Sequence, residues 1–159
     1  MDNIIIDRDY VHEVRKHAKP APIIVHVKIA ILQNSPNTSL DSTPTQLHFF
    51  EKTFRIERGV QQGNNLIIPI GRTVPPEEGI RLEHPTVSRN QGQIILLIEA
   101  GKKEPYFYYK DTSTFGSSLN SFRFRNDMKP LRNNDVLGIG LYPDHITPVY
   151  TLEFHYECP

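Results

Sequence analysis

From residue 23 onward, apolar residues recur at every second position in short runs that are separated by turn residues. In the first run, one face carries Val25, Val27, Ile29 and Ile31, whereas the intervening positions are polar or small. This alternation is typical of a half-buried β-strand, because successive side chains of a strand point to opposite faces. No comparable helical spacing follows residue 22. The pattern therefore predicts an all-β domain over 23–159.

Further strands are predicted wherever a short apolar or alternating run is bounded by Gly, Pro, Asn or Asp. The run at 94–98 is apolar on both faces, so we expect that strand to be central. Two polar stretches, 34–45 and 110–121, are predicted to be loops. Many short strands with regular turn signals favour a β-sandwich. The predicted strands are 23–31, 47–56, 66–70, 94–98, 106–109, 122–124, 136–140 and 149–156.

Residues 1–22 differ from this pattern and are interpreted as an N-terminal extension. Asp9 is placed to cap a short helix whose apolar face extends to Ala18, and Pro20 and Pro22 end it. We expect its histidines, His12 and His17, to be solvated rather than bound to metal. The extension is a candidate surface for a further partner.

Composition excludes several classes of function. The chain has 18 basic and 18 acidic residues, so its formal net charge of zero argues against a nucleic-acid-binding protein. The single cysteine, Cys158, predicts neither a disulfide framework nor a cysteine-based zinc site, which favours an intracellular compartment, cytoplasmic or nuclear. No apolar run approaches the roughly 20 residues of a membrane span, and the first residues do not predict a signal peptide. We expect no metal, no cofactor and no membrane insertion.

Two strand ends carry groups suited to binding an anion. Gly71 and Arg72 follow the strand 66–70, and a glycine there allows close approach of another backbone. An arginine at a rigid strand end presents a planar cationic fork to a phosphate or carboxylate. Ser88, Arg89 and Asn90 then open the next apolar run. The alternative is that Arg72 pairs with an acidic neighbour, Glu77 or Glu78, and that Ser88 only shapes a turn.

A third segment, 110–121, groups small hydroxyl residues around Gly116. Loops of this composition hydrogen-bond to their own backbone and often carry binding groups, although turn chemistry alone explains such a composition equally well. Together with Gly71–Arg72, Ser88–Gln91 and the turn Asn134–Asp135, this segment resembles the motif set of the forkhead-associated (FHA) domain. The resemblance covers about 23–157. The long loop after Arg72 is most similar to the subgroup found in sarcolemmal membrane-associated protein, its fungal pheromone-arrest relatives and some RING ubiquitin ligases.

The resemblance implies an FHA-like β-sandwich of about eleven strands that binds phosphothreonine peptides through loops at one end. Arg72 and Ser88 would contact the phosphate, Thr114 would hydrogen-bond it, and Arg89 would supply another phosphate or peptide contact. Three positions are candidates for support or architecture rather than contact: Gly71, Gly116 and Asp135. The full set of implied peptide contacts is Arg72, Ser88, Arg89, Asn90, Thr114 and Phe115, supported by Gly71, Gln91, Ser113, Gly116 and Asn120.

Two positions depart from the family pattern. Gln91 stands where the family usually has a histidine that braces the site, and glutamine can still donate and accept hydrogen bonds. Phe115 stands where an asparagine usually holds the peptide backbone, and its side chain has no hydrogen-bonding group. If Phe115 is exposed it offers an apolar contact beside the phosphate, and if it is tucked beneath the loop it only packs.

The expected function is phosphothreonine-dependent recruitment of a partner protein. An alternative is an FHA-like scaffold that binds its partner through another surface, without phosphate. An enzyme is disfavoured, because the chain shows no catalytic-triad spacing, no phosphate-binding glycine loop and no zinc cluster. A carbohydrate-binding or nucleic-acid-binding sandwich is disfavoured by the neutral charge and by the absence of tryptophan.

Overall fold

The structure, a computed structural model, describes residues 21–32, 47–58, 65–99, 101–141 and 147–159. These residues contain eleven strands and no helix. The prediction of an all-β sandwich of about eleven strands is therefore confirmed. The predicted N-terminal helix and the predicted loop at 34–45 lie outside the described residues.

All eight predicted strands are present, and their ends agree with the prediction to within two residues. Three short strands were not predicted and are discussed below. In chain order the strands are β1 (Ile23–Leu32), β2 (Leu47–Ile56), β3 (Asn65–Gly71), β4 (Ile80–Arg81), β5 (Gly92–Leu97), β6 (Tyr106–Asp111), β7 (Ser117–Leu119), β8 (Phe122–Phe124), β9 (Met128–Leu131), β10 (Val136–Leu141) and β11 (Pro148–Glu157).

Two sheets form the sandwich. One has six strands in the order β2-β1-β11-β10-β7-β8, and the other has five in the order β4-β3-β5-β6-β9. Every recorded strand pair is antiparallel except β3 with β4, which is parallel. Strand β5 lies at the centre of its sheet, as its apolar composition predicted.

The prediction that all of 110–121 is loop is wrong in two places. Strand β6 extends to Asp111, and Ser117–Leu119 forms β7 between β8 and β10. Serine has a low strand propensity, so the sequence pattern did not indicate a strand. The neighbouring Gly138 of β10 explains why a strand forms here, since a Cβ built at Gly138 would lie 2.1 Å from the Ser118 hydroxyl oxygen. Small residues on both strands allow this close approach, and tertiary packing overrides propensity.

The other unpredicted strands are short or contain proline. Strand β4 has only two residues, which is too short for an alternating pattern. Strand β9 contains Pro130 and lies at the edge of its sheet. An edge strand tolerates proline because the N–H that proline lacks can fall on the side without a neighbouring strand.

The core lies between the two sheets. Alternate residues of β1, from Ile23 to Ile29, are fully buried, as the period-two pattern predicted. Across the sandwich, the Phe107 ring of β6 meets the Phe154 ring of β11 at 4.9 Å between centroids and an interplanar angle of 62°. This edge-to-face contact is a preferred arrangement for aromatic rings and joins the two sheets.

Gly71 fixes how two chain segments approach each other at the end of β3. A Cβ built on Gly71 would lie 1.9 Å from the backbone oxygen of Arg89. Backbone hydrogen bonds also hold this segment in place. The backbone amide of Leu82 donates to the Gly71 carbonyl at 3.1 Å, and the backbone amide of Gln91 donates to the Ile70 carbonyl at 3.0 Å. Only glycine fits here, so this position sets where Arg72 and Ser88 lie relative to each other.

Replacement of Gly71 by alanine is expected to destabilise the fold by roughly 1–3 kcal/mol or more, because the new methyl group overlaps a backbone atom that cannot rotate away. Gly101→Ala is the matched control. Gly101 has a φ of +79° but nothing within 4 Å of a built Cβ, so alanine there carries only the backbone strain. Urea denaturation of both variants tests this. Equal destabilisation by the two would mean that the contact with Arg89 does not constrain Gly71.

Candidate functional site

Three loops meet at one end of the sandwich, and we call them the loop cluster. They are 72–79 after β3, 82–91 between β4 and β5, and 112–116 between β6 and β7. The amide of Arg72 donates to the Ser88 carbonyl at 3.1 Å, which joins the first loop to the second. The amide of Thr114 donates to the Ser88 hydroxyl oxygen at 3.0 Å, which joins the third loop to the second.

Ser88 is therefore the residue at which the three loops are connected. Its hydroxyl oxygen accepts from Thr114, and its own amide donates to the Gln91 side-chain oxygen at 3.0 Å. Since the hydroxyl accepts from the protein, its proton remains available to an acceptor outside the protein. Because Ser88 hydrogen-bonds to Thr114, 26 positions further along the chain, its role is not limited to shaping its own turn.

Arg72 and Arg89 bring two cations to the loop cluster. Arg72 is half-buried and Arg89 is exposed. Within the part of the chain that the structure describes, neither guanidinium forms a side-chain hydrogen bond or an ion pair. The alternative pairing of Arg72 with Glu77 or Glu78 is thus not found among these residues. A half-buried guanidinium without a protein partner is poised to bind an anion.

The side-chain amide of Gln91 is buried and hydrogen-bonds to two loops of the loop cluster. The side chain is 1% exposed. Its oxygen accepts from the Ser88 amide, and its nitrogen donates at 3.2 Å to both the Gly116 carbonyl and the Ser117 hydroxyl. One amide group therefore hydrogen-bonds to partners on two different loops.

A buried carboxylate lies behind Gln91. Asp111 is 1% exposed and accepts hydrogen bonds from the Ser113 hydroxyl at 2.7 Å, from the Ser117 hydroxyl at 2.6 Å and from the Asn126 amide at 3.0 Å. These three bonds replace water around the charge, so its burial is tolerated. They also fix the ends of the loop 112–116 to one point.

Tyr109 completes this buried network. Its hydroxyl lies 2.7 Å from the Ser117 hydroxyl. Because the Ser117 proton goes to Asp111, Tyr109 is the donor in this contact. Burial raises the pKa of the Tyr109 phenol well above its usual value, so the donor stays protonated at physiological pH.

Loop 112–116 exposes Thr112 and Thr114 and buries Ser113. Thr114 is exposed, whereas Ser113 is 4% exposed and accepts from the Gly116 amide at 2.8 Å. Gly116 has a φ of +91°, and a Cβ there would lie 2.6 Å from the Phe124 carbonyl oxygen, so this turn requires glycine. Phe115 is 37% exposed, and its carbonyl accepts from the Arg123 guanidinium at 2.6 Å.

Two asparagines of the predicted site have different positions. The Asn90 carbonyl accepts from the Thr112 hydroxyl at 2.8 Å, which places Asn90 within the loop cluster. Asn120 lies at the opposite end of β7 from Ser117. Its side-chain nitrogen donates to Asp135 at 2.9 Å and its oxygen accepts from the Val136 amide at 2.9 Å. Asn120 therefore holds the turn after β7 against the turn before β10, outside the loop cluster.

His84 stabilises the loop 82–91 and was not singled out from the sequence. Its Nδ1 lies 2.7 Å from the Thr86 hydroxyl and accepts from the Thr86 amide at 3.2 Å. Acceptance at Nδ1 requires a neutral ring, and partial burial lowers the pKa of His84. Thr86 in turn lies against Gly140 of β10, where a built Cβ would approach its hydroxyl to 2.8 Å.

The structure thus brings together nine of the predicted site residues and leaves Gly71 directly behind them. Sequence reasoning missed Tyr109, Ser117, His84 and Arg123. A signal existed only for Ser117, which follows Gly116 within the hydroxyl-rich segment. The nine residues are Arg72, Ser88, Arg89, Asn90, Gln91, Ser113, Thr114, Phe115 and Gly116.

Among the residues that the structure describes, no group of three or more His, Cys, Asp or Glu side chains is arranged to hold a metal ion. Over the same ranges, no helix is long and apolar enough to cross a membrane.

Replacement of Gln91 by leucine is expected to destabilise the domain by about 1–3 kcal/mol, because a buried amide and a buried carbonyl lose their partner. Gln93→Leu is the control, since Gln93 is only half-buried and lies two residues further along the chain, in β5. Chemical denaturation of both variants measures the difference. A Gln91→Leu variant as stable as Gln93→Leu would show that Gln91 does not brace the loops.

Comparison with known protein families gives one match. Residues 68–140 match the family model of the FHA domain, and this range includes all the predicted site residues. No curated protein sequence matches the chain at a significant level.

Solved structures with the same fold are more numerous. The yeast Pml1 splicing factor is 16% identical, with 95% of this chain and 91% of that chain covered and a TM-score of 0.53. The N-terminal FHA domain of Rad53p from S. cerevisiae is 17% identical, with coverages of 84% and 94% and a TM-score of 0.53. The yeast Dun1 FHA domain is 16% identical, with coverages of 89% and 79% and a TM-score of 0.51. At these identities the likeness establishes the fold alone.

Proposed function

We propose, on the premise that residues 68–140 match the FHA domain model, that the chain is a phosphothreonine-dependent interaction module that recruits a phosphorylated partner protein. The observation that carries the proposal is the connection of Arg72, Ser88 and Thr114. We call these three residues the phosphate pocket. Ser88 contacts the backbone of both other residues, and each of the three has a side-chain donor available to a ligand.

The chemistry of the phosphate pocket matches a phosphomonoester. Such a group carries a charge of about −1.5 to −2 and three strong acceptor oxygens at neutral pH. The Arg72 guanidinium supplies charge and paired donors, and the Ser88 and Thr114 hydroxyls supply two more. Arg89, exposed on the neighbouring position, adds a second cation for the phosphate or the peptide. Asn90 offers an exposed amide for peptide contacts.

Two of the structurally similar proteins support this proposal through their ligands. The Rad53p domain was solved with a phosphothreonine peptide, and the Dun1 domain with a doubly phosphorylated peptide derived from Rad53. Their binding sites belong to the same fold. For this chain we propose a protein or peptide ligand of the same chemical kind, and an intracellular location where kinases supply it.

We propose binding without turnover. Within the described residues, neither the Ser88 nor the Thr114 hydroxyl is hydrogen-bonded to a histidine or a carboxylate that could take its proton. His84, in the same loop as Ser88, has its Nδ1 occupied by Thr86. The buried carboxylate of Asp111 is held by serine hydroxyls behind the loops. Among the described residues, the pocket therefore presents donors for an anion, with no histidine or carboxylate hydrogen-bonded to its hydroxyls.

Phe115 shapes the recognition of residues around the phosphothreonine. Its backbone is fixed by Arg123, and its ring is partly exposed beside Thr114. An aromatic ring supplies apolar contact area but no directional hydrogen bond to a peptide backbone. We therefore propose that the partner presents an apolar residue next to the phosphothreonine, or a folded surface that packs on the ring.

A peptide with phosphothreonine is expected to bind with micromolar affinity, on the order of −8 kcal/mol, and its unphosphorylated twin is expected not to bind. Arg72→Ala should weaken binding by roughly 2–5 kcal/mol, because it removes the charged partner of the phosphate. Arg72→Lys should recover only part of this loss, since a lysine lacks the planar fork. Isothermal titration calorimetry measures each affinity.

Lys102→Ala is the matched control for this titration. It also removes one positive charge, but Lys102 lies in the turn after β5, at the end of the sandwich opposite the loop cluster. The peptide affinity of the Lys102→Ala variant should stay within a factor of two of the affinity of the original protein. Equal binding of the phosphorylated and unphosphorylated peptides, or equal losses for Arg72→Ala and Lys102→Ala, would overturn the proposal.

Peptide affinity is expected to fall as the pH drops from 7 to 5, because the second pKa of the phosphate is about 6 and the pocket favours the dianion. His84 also makes the stability of the domain depend on pH. Its folded pKa is lowered, so it contributes stability above its unfolded pKa of 6.5 that is lost as pH falls toward the folded value. His84→Gln removes this contribution and separates the two effects.

In the His84→Gln variant the melting temperature should depend less on pH between 7 and 5, whereas the loss of peptide affinity should remain. Calorimetric titration and thermal melting at several pH values test both expectations. An affinity that is independent of pH in both proteins would show that the phosphate dianion is not what the pocket binds.

A further inference from the structure

Strand β2 lies at the edge of the six-stranded sheet, with β1 on one side and no strand on the other among the described residues. Its pairing with β1 is continuous over ten residues, from Ile23↔Ile56 to Leu32↔Leu47, without a bulge. It contains no proline. A long, regular edge presents unpaired N–H and C=O groups that can pair with another strand.

This edge also exposes large apolar side chains. Phe49 is 54% exposed and Phe50 is 41% exposed, on opposite faces of the strand. Lys52 faces inward, which in many proteins protects an edge from pairing. Here its ammonium group is already held by carbonyls of its own chain, at Pro76 and at Gly79, the latter at 2.7 Å. The charge is satisfied within the fold and does not oppose a second strand.

We propose that β2 pairs antiparallel with β2 of a second copy of this chain, so that the two six-stranded sheets form one continuous sheet across a two-fold axis. In such a pair, a residue at position i faces a residue at position j of the second copy, and i + j is constant and even. The sequence of β2 distinguishes the possible registers by charge, because like charges directly opposite destabilise a pair and opposite charges stabilise it.

Two axis positions in the central part of β2, Phe50 and Thr53, avoid like charges. With the axis at Glu51, Lys52 or Arg55, the residue on the axis faces its own copy, so identical charges are opposed. With the axis at Phe54, Glu51 faces Glu57 of the second copy. With the axis at Thr53, no like charges are opposed.

Of these two registers, only the one centred on Thr53 also places opposite charges directly across from each other. On the outer face, Glu51 of each copy lies opposite Arg55 of the other, giving two equivalent ion pairs, and Thr53 faces Thr53. On the inner face, Phe50 lies opposite Ile56. The pairing therefore covers an exposed aromatic ring and matches opposite charges, and the self-complementary pattern identifies the occupant as a second copy.

The first experiment is a disulfide trap in the full-length chain with Cys158→Ser. In either antiparallel pair type, residues directly opposite have Cα atoms about 4.5–5.5 Å apart, which lies within the range of a disulfide. Thr53→Cys should therefore form a reducible covalent dimer under mild oxidation. Glu57→Cys should not, because each copy of Glu57 lies opposite Phe49, roughly 25 Å along the strand from the other Glu57.

The second experiment uses charge reversal and sedimentation. Glu51→Arg and Arg55→Glu should each weaken dimerisation by roughly tenfold, because two equivalent ion pairs become like-charge pairs. The double variant should restore dimerisation, since it recreates both pairs with the charges exchanged. Thermal melting of each variant confirms that it is folded.

Three results would overturn the proposal. One is a protein that sediments as a monomer up to about 1 mM. Another is equal cross-linking of Thr53→Cys and Glu57→Cys. The third is a monomer that dimerises only after residues 33–46 are replaced by a Gly-Ser linker, which would assign the edge to that segment of the same chain.

Discussion

The arrangement of the loop cluster depends on one buried side-chain amide, that of Gln91. Gln91 donates to Gly116 and Ser117 and accepts from Ser88, so it connects the loop that opens β5 with the loop that precedes β7. Behind it, Asp111 anchors Ser113 and Ser117 in a part of the structure that water does not reach. Removing one member leaves polar groups buried without partners, which is costly in a low-dielectric interior. The exposed donors keep their arrangement because the buried ones are satisfied.

Much of the fold could be predicted from sequence because one rule generates it. Strands such as β1 and β11 alternate apolar and polar residues, and that pattern is a direct consequence of burying one face. Strand β7 could not be predicted, because Ser117 and Ser118 have the composition of a turn. They form a strand only since Gly138 leaves room for Ser118 on the neighbouring β10. That condition involves residues 20 positions apart and is not visible in either segment alone.

In the candidate site, too, some residues could be recognised from their own segment, whereas others depend on contacts with distant segments. Arg72, Ser88 and Thr114 could be named from ordered short motifs, because each motif keeps its residues at fixed spacing on a strand end. The residues that hold the motifs together were less visible. Tyr109 looks like one aromatic residue of a strand, and its hydroxyl gains a role only where it meets Ser117. Arg123 contacts Phe115 through a backbone carbonyl, which carries no sequence signature. The proposed ligand contacts are encoded locally, whereas their support is encoded by packing.

The proposed dimer restricts how two phosphate pockets can act together. The start of β2 lies at the same end of the sandwich as the loop cluster, since Ile31 pairs with both His48 and Tyr150, and Thr86 of the loop cluster approaches Gly140 of the neighbouring β10. An antiparallel pairing centred on Thr53 therefore points the two pockets in opposite directions. Six residues of strand separate the axis from Leu47 in each copy, so the pockets are at least about 40 Å apart. An extended peptide of fewer than about 12 residues cannot span this distance. Avidity would then require two distant phosphothreonines or two partner molecules, and the dimer would favour bridging partners over binding one doubly phosphorylated short segment.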